Sequence, residues 1–248
     1  MRSMLLLHGF SGSPAAWRPV QAQLPPKLQF EVPALVGHAG GPSPGLVADF
    51  ETEVDRLRAL GERCPGPRHL VGYSLGARLA LGLLVRHPRL FSSATLIGVH
   101  PGLESEPERT ERHAADRYWC DLLDRGDLSE FVSQWQSQPL FATQQRLPPG
   151  PLEEQRHSRL QHRAQDLAAA LRCLGLAVMP CYRDRLADIP VPVQLVYGEQ
   201  DGKFAALAAD MARRLPRATL LALPGIGHNP VLECPERVAD ILKRGIDA

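Results

Sequence analysis

Lysine is nearly missing from this chain. Of 28 basic residues only Lys27, Lys203 and Lys243 are lysines, and the other 25 are arginines. Set against 27 acidic residues they leave a formal net charge of +1, so no overall field draws the chain to nucleic acid or to an anionic membrane. With arginine this common, one arginine alone says little about function. Long apolar runs are missing too. Nothing approaches the ~20 residues that span a bilayer. The N-terminal run Met4-Leu5-Leu6-Leu7 stops at His8, too short for a signal-peptide core. Five cysteines (Cys64, Cys120, Cys173, Cys181, Cys234) are scattered, odd in number and without metal-ligand spacing. They read as small buried thiols in a reducing compartment. The expectation is a soluble, cytoplasmic monomer that uses no metal or cofactor.

What is present is enough apolar residue to fill a large core. Hydrophobic residues make up 44% of the 248 and charged residues 22%, ordinary values for a globular domain. Short apolar runs at Met4–Leu7, Gln29–Val32, His69–Tyr73 and Ala94–Val99 alternate with helical spacing at Pro14–Leu24, Phe50–Arg63 and Leu75–His87. The alternation then stops. From Pro101 to Asp188 the pattern is helical throughout, with helices expected over Glu108–Asp124, Leu128–Gln136, Glu153–Gln165 and Asp166–Val178, and a break at Pro148-Pro149-Gly150-Pro151. Strand and helix return at Val191–Tyr197, Lys203–Leu215, Ala218–Leu223 and Pro235–Ile246. This predicts an α/β fold, a mostly parallel central sheet flanked by helices, built from residues 1–100 and 189–248. Residues 101–188 form a helical cap inserted over its carboxyl edge.

One stretch organises the chemistry. Gly72-Tyr73-Ser74-Leu75-Gly76 follows an apolar run and opens a helical one, the context of a nucleophile elbow. A serine hydroxyl needs a histidine to take its proton and a carboxylate to orient that histidine. In this architecture the chain order is serine, acid, histidine. Asp201 stands just past the strand Val191–Tyr197, and His228 follows the last strand in Gly225-Ile226-Gly227-His228-Asn229-Pro230. Either segment alone reads as a turn; the three in order, each after a strand, read as a triad. The loop His8-Gly9-Phe10-Ser11-Gly12 lacks the Gly-Lys-Ser/Thr of a phosphate loop. It is placed to aim the Phe10 N–H at the same point as the Leu75 N–H, a pair of oxyanion donors.

Through these residues the chain resembles the α/β-hydrolase superfamily over nearly its full length. It begins almost directly at the strand before His8, so an early strand pair common in the superfamily is missing or reduced, and Ala34 stands where many members carry Asp. Further matches lie in His100-Pro101-Gly102-Leu103, Arg109, Glu111-Arg112, Asp116-Arg117, Trp135, Gln138-Pro139-Leu140-Phe141-Ala142 and Gly198–Phe204. By these the chain resembles the 2-succinyl-6-hydroxy-2,4-cyclohexadiene-1-carboxylate synthase family of menaquinone biosynthesis. The resemblance implies a lyase that eliminates pyruvate from an enolpyruvyl cyclohexene polycarboxylate, with Ser74, Asp201 and His228 as a general-base triad. Arg78 falls one helical turn beyond Ser74, and Arg112 and Arg159 lie on cap helices; three cations suit a substrate with several carboxylates. Arg109 and Arg163, each one turn away, are alternatives to Arg112 and Arg159. Tyr73, Trp135 and Lys203 complete the expected substrate contacts. The competing readings are a serine hydrolase, acting as a carboxylesterase or on a C–C bond, and a non-catalytic binding protein.

Overall fold

The computed structural model describes residues 2–246; the expected limits of the core at Met1, Asp247 and Ala248 lie outside the described residues. Strand β1 (Ser3–Leu7) is buried at every position, as a continuous apolar run predicts for a strand covered on both faces. A one-turn helix α1 (Arg18–Gln21) and strand β2 (Gln29–Glu31) follow. Next come α2 (Phe50–Arg63), β3 (Arg68–Tyr73), α3 (Leu75–Arg86) and β4 (Ser93–Ile97). Four helices separate β4 from the next strand: α4 (Glu106–Asp124), α5 (Leu128–Gln136), α6 (Pro149–Arg159) and α7 (Ala164–Leu174). The chain closes with β5 (Val193–Gly198), α8 (Gly202–Ala212), β6 (Ala218–Leu223), α9 (Pro230–Glu233) and α10 (Pro235–Ile246).

The sheet runs β2-β1-β3-β4-β5-β6 with every neighbouring pair parallel. Side chains alternate along each strand and feed two cores. Leu5, Leu7, Leu70, Leu96 and Leu195 pack with α2, α3 and α8 on one face. Met4, Leu6, Val71, Ile97 and Val196 pack with Trp17, Val238 and Leu242 on the other. Because β1 is followed by β2 on one side and β3 on the other, the loops leaving β1 and β3 diverge. That switch point is where open parallel sheets hold ligands, and it is where Phe10 and Ser74 stand. The inserted helices carry a third cluster around Leu123, Phe131, Val132 and Leu167. Among the described residues no helix is long and apolar enough to cross a membrane.

Several boundaries differ from expectation: the helix expected over Asp166–Val178 is α7 and ends at Leu174, and that expected over Pro14–Leu24 is a 3-10 turn at Pro14–Trp17 followed by α1. The helix expected over Glu153–Gln165 is α6, which starts earlier and ends at Arg159. Proline needs no N–H partner in a first turn, so Pro149 and Pro151 open this helix instead of breaking the chain. Extended backbone at Arg163 then separates α6 from α7. Strand β4 ends at Ile97, short of Val99, because Gly98 takes φ +59° and turns the chain.

Candidate active site

The sharp turn between β3 and α3 is held by backbone contact. Ser74 has φ +52° and ψ −108°, a sparsely populated conformation for a residue with a side chain. Its N–H donates to the Ile97 carbonyl at 2.9 Å, and its carbonyl accepts from the Arg78 N–H at 3.0 Å. The two glycines of the motif are required by what lies beside them. A Cβ on Gly72 would stand 2.4 Å from the Gly76 carbonyl oxygen, and one on Gly76 would stand 2.1 Å from that of Leu7. Strand β3 and helix α3 can therefore meet, and the serine hydroxyl projects from the apex.

His228 Nδ1–H donates to Asp201 Oδ2 at 2.6 Å, which leaves Nε2 to accept from the Ser74 hydroxyl at 3.1 Å. Both His228 and Asp201 are buried. Asp201 is also the N-cap of α8, its Oδ1 facing the Phe204 N–H. Phe204 covers the imidazole, with ring centroids 4.4 Å apart. Gly198 lets the loop before His228 lie against the end of β5, since a Cβ there would meet the Gly227 carbonyl at 2.0 Å. Gly98 leaves room for the ring itself; a Cβ would stand 2.9 Å from His228 Cε1. The Leu75 N–H is in the first turn of α3 and has no helical acceptor. Among the described residues neither it nor the Phe10 N–H donates to any backbone carbonyl.

These groups open into a cavity of about 1280 Å³ whose wall includes Arg78, Arg112 and Arg159. Each cation is anchored differently. Arg78 donates to the Leu174 carbonyl at 2.8 Å, and burial, helped by Arg112, lowers its pKa to about 9. Arg112 Nε donates to Asp116 Oδ1 at 2.8 Å, a carboxylate one helical turn on. Arg159 is 5% exposed, lies 5.6 Å from the Phe141 ring centre, and has a buried Nη1 without a partner among the described residues. Burial lowers its pKa to about 10. Arg78 and Arg159 both stay charged at neutral pH. Beside them His100 is pushed down to about 3, by burial first and then by Lys203, Arg78 and Arg112. An unpaired buried charge is costly, so two guanidiniums without carboxylate partners among the described residues describe a seat for an anion.

The alternatives separate here. The Arg163 side chain is 80% exposed and lies 3.7 Å from Asp166 Oδ2. Arg109 donates to the carbonyls of Leu103, Ala177 and Met179, which ties the base of the cap together. Tyr73 is half-buried on the cavity wall, its ring 5.6 Å from that of His228. Burial pushes its phenol well above the ordinary value, so it remains a hydroxyl donor. Trp135 stacks on Phe131 and meets Phe10 edge-on, and its Nε1 has no partner among the described residues. Lys203 is exposed at the rim, its ammonium 5.9 Å from the Phe204 ring. The sequence reading had no place for Asp116 as the partner of Arg112, although the i,i+4 spacing carries that signal. It also missed Gly98, whose role rests on contact with a residue 130 positions away.

Parallel sheet, elbow serine and buried acid–imidazole pair together define an enzyme of the α/β-hydrolase class, and residues 4–241 match the alpha/beta hydrolase family. The chain is 36% identical over 247 residues to 2-succinyl-6-hydroxy-2,4-cyclohexadiene-1-carboxylate synthase of Enterobacter sp. (strain 638), covering 96% of this chain and 89% of that one. It is 35% identical over 246 residues to the enzyme of the same name from Salmonella paratyphi B, covering 97% and 92%. Among solved structures, MenH from S. aureus superposes with a TM-score of 0.92 at 25% identity, over 99% of this chain and 93% of that one. The chain belongs to the 2-succinyl-6-hydroxy-2,4-cyclohexadiene-1-carboxylate synthase family. An esterase from Exiguobacterium antarcticum, at 16% identity and a TM-score of 0.83, shares the fold.

Proposed function

We propose that this chain is the lyase that eliminates pyruvate from 2-succinyl-5-enolpyruvyl-6-hydroxy-3-cyclohexene-1-carboxylate, giving 2-succinyl-6-hydroxy-2,4-cyclohexadiene-1-carboxylate. The observation that carries the reading is the convergence of Arg78, Arg112 and Arg159 on the cavity that holds the Ser74 hydroxyl. A substrate with several carboxylates uses three fixed cations; a small neutral ester does not.

In this mechanism Asp201 fixes the His228 tautomer, and His228 Nε2 takes the Ser74 proton. Ser74 Oγ then removes the ring proton next to the succinyl ketone. Charge grows on the ketone oxygen, within reach of the Phe10 and Leu75 N–H donors. The electron pair moves through the ring alkene, a new ring C=C forms, and the C–O bond to the enolpyruvyl group breaks. The His228 imidazolium returns its proton to the departing enolpyruvate, which leaves as pyruvate, and Ser74 keeps the ring proton as its hydroxyl. Positioned proton transfer contributes about 10²–10⁴ in rate, and each oxyanion donor about 10²–10³. Residues 101–188 act as the cap that supplies Arg112 and Arg159. We place the enzyme in the cytoplasm as a monomer, the former on the strength of five free cysteines.

The test supplies the enolpyruvyl substrate and, separately, a neutral chromogenic ester. Rapid pyruvate release with little ester cleavage is the expected result. Efficient ester turnover without pyruvate would overturn the reading in favour of a serine hydrolase.

A further inference from the structure

Three histidines outside the triad surround the loop Gly9-Phe10-Ser11. His8 Nδ1–H donates to the Gly9 carbonyl at 2.9 Å, and the same oxygen accepts from the Gly12 N–H at 3.0 Å. That carbonyl and the Phe10 N–H are opposite edges of one planar trans peptide. Fixing the carbonyl therefore aims the N–H. On the other side of Phe10, the Ser11 N–H donates to His38 Nε2 at 3.1 Å, and the Ser11 carbonyl accepts from His162 Nε2–H at 3.0 Å.

Each imidazole has its remaining nitrogen committed. His8 Nε2 accepts from the Leu35 N–H, His38 Nδ1–H donates to the Val36 carbonyl, and His162 Nδ1 accepts from the Ala39 N–H. Every ring thus donates once and accepts once, which defines a neutral tautomer for each. The rings meet edge-on at 5.0 Å (His8–His38) and 5.5 Å (His38–His162), and Phe10 packs against His38 at 5.6 Å. All three histidines are buried. His8 and His38 belong to the sheet's own loops. His162 does not: it lies in the turn between α6 and α7, three residues after Arg159, and its N–H donates back to the Arg159 carbonyl at 3.4 Å.

We propose that His162 is a positioning residue through which the cap holds the Phe10 N–H in line with the Leu75 N–H. A cap side chain thereby completes an oxyanion pair whose donors both lie on the core, and the turn that carries it also carries the Arg159 cation. The proposal rests on the triad chemistry above for its kinetic consequence but not for its geometry.

His162→Leu removes both hydrogen bonds, while His162→Gln keeps an amide donor near the Nε2 position. In His162→Leu, kcat for pyruvate release should fall about ten- to hundredfold, less than outright loss of a donor, with KM changed less than about threefold. His162→Gln should recover most of kcat. The second arm follows the amide resonances of protein labelled with ¹⁵N-phenylalanine, in which seven residues report. The Phe10 resonance should shift in His162→Leu and return in His162→Gln. An unchanged kcat, or a Phe10 resonance that does not move, would overturn the proposal. If His162→Leu does not fold, His162→Asn, which keeps an acceptor for Ala39 but no donor for Ser11, takes its place with the same expected losses. If the wild-type protein releases no pyruvate, the functional reading fails while the resonance arm still decides the role of His162.

Discussion

Acidification from pH 7.5 to 5.0 should remove about 6 kcal/mol of stability from this protein, about 2 kcal/mol for each of three histidines held neutral by the fold. Burial pushes His8 down to about 4. It pushes His69, held between the hydroxyls of Ser93 and Thr95, down to about 3. His100, whose Nδ1 accepts from the Gly102 N–H, also falls to about 3, by burial and then by the neighbouring cations. An exposed imidazole titrates near 6.5. Above that pH both states are neutral and the histidines contribute nothing to the pH dependence. Below it the unfolded chain binds protons that the folded chain refuses, so stability falls with pH until the folded-state values are reached, near 4 for His8 and near 3 for His69 and His100. A loss of this size is comparable with the whole stability of an ordinary domain, about 5–15 kcal/mol. His38 and His162 are lowered in the same direction, which steepens the fall. The assay is urea unfolding at pH 7.5, 6.5, 5.5 and 5.0 followed by far-UV circular dichroism. A free energy of unfolding that stays level within about 1 kcal/mol across that range would refute the neutral assignment.

Two substitutions probe the site from opposite directions. Arg159→Met removes a buried cation whose Nη1 has no partner among the described residues; chemical denaturation should show the free protein gaining about 1–4 kcal/mol, while kcat/KM for the polycarboxylate falls at least about tenfold. Equal or lower stability would mean that the guanidinium is satisfied in the fold. Gly98→Ala places a Cβ 2.9 Å from His228 Cε1 at a position with φ +59°. It should lower kcat about a hundredfold by displacing the imidazole from Ser74, with a loss of about 1–2 kcal/mol in thermal or urea unfolding; unchanged turnover would show that the ring has room to move.

Much of this architecture was legible because it is written in local patterns. Continuous apolar runs marked buried parallel strands, and Gly72-Tyr73-Ser74-Leu75-Gly76 marked the turn where helix and strand touch. The limits of α2, α5, β6 and α10 agree with the spacing of their apolar residues. The start of α6 was misread because Pro148-Pro149-Gly150-Pro151 looks like a break, yet proline is at home in a first turn. Arg159 and Arg163 could not be separated by spacing alone, since each lies within one turn of the other; burial separates them. The histidines around Phe10 were not legible at all. His8, His38 and His162 are far apart in sequence, and each is engaged with backbone groups that carry no side-chain signature.

The most direct measurement is pyruvate release from the enolpyruvyl substrate by the wild-type protein and by Ser74→Ala at matched concentration, with substrate binding followed by calorimetry. The account predicts rapid release by the wild type, a loss of at least about 10³ in kcat for Ser74→Ala, and binding retained by both. Near-normal release by Ser74→Ala would contradict it.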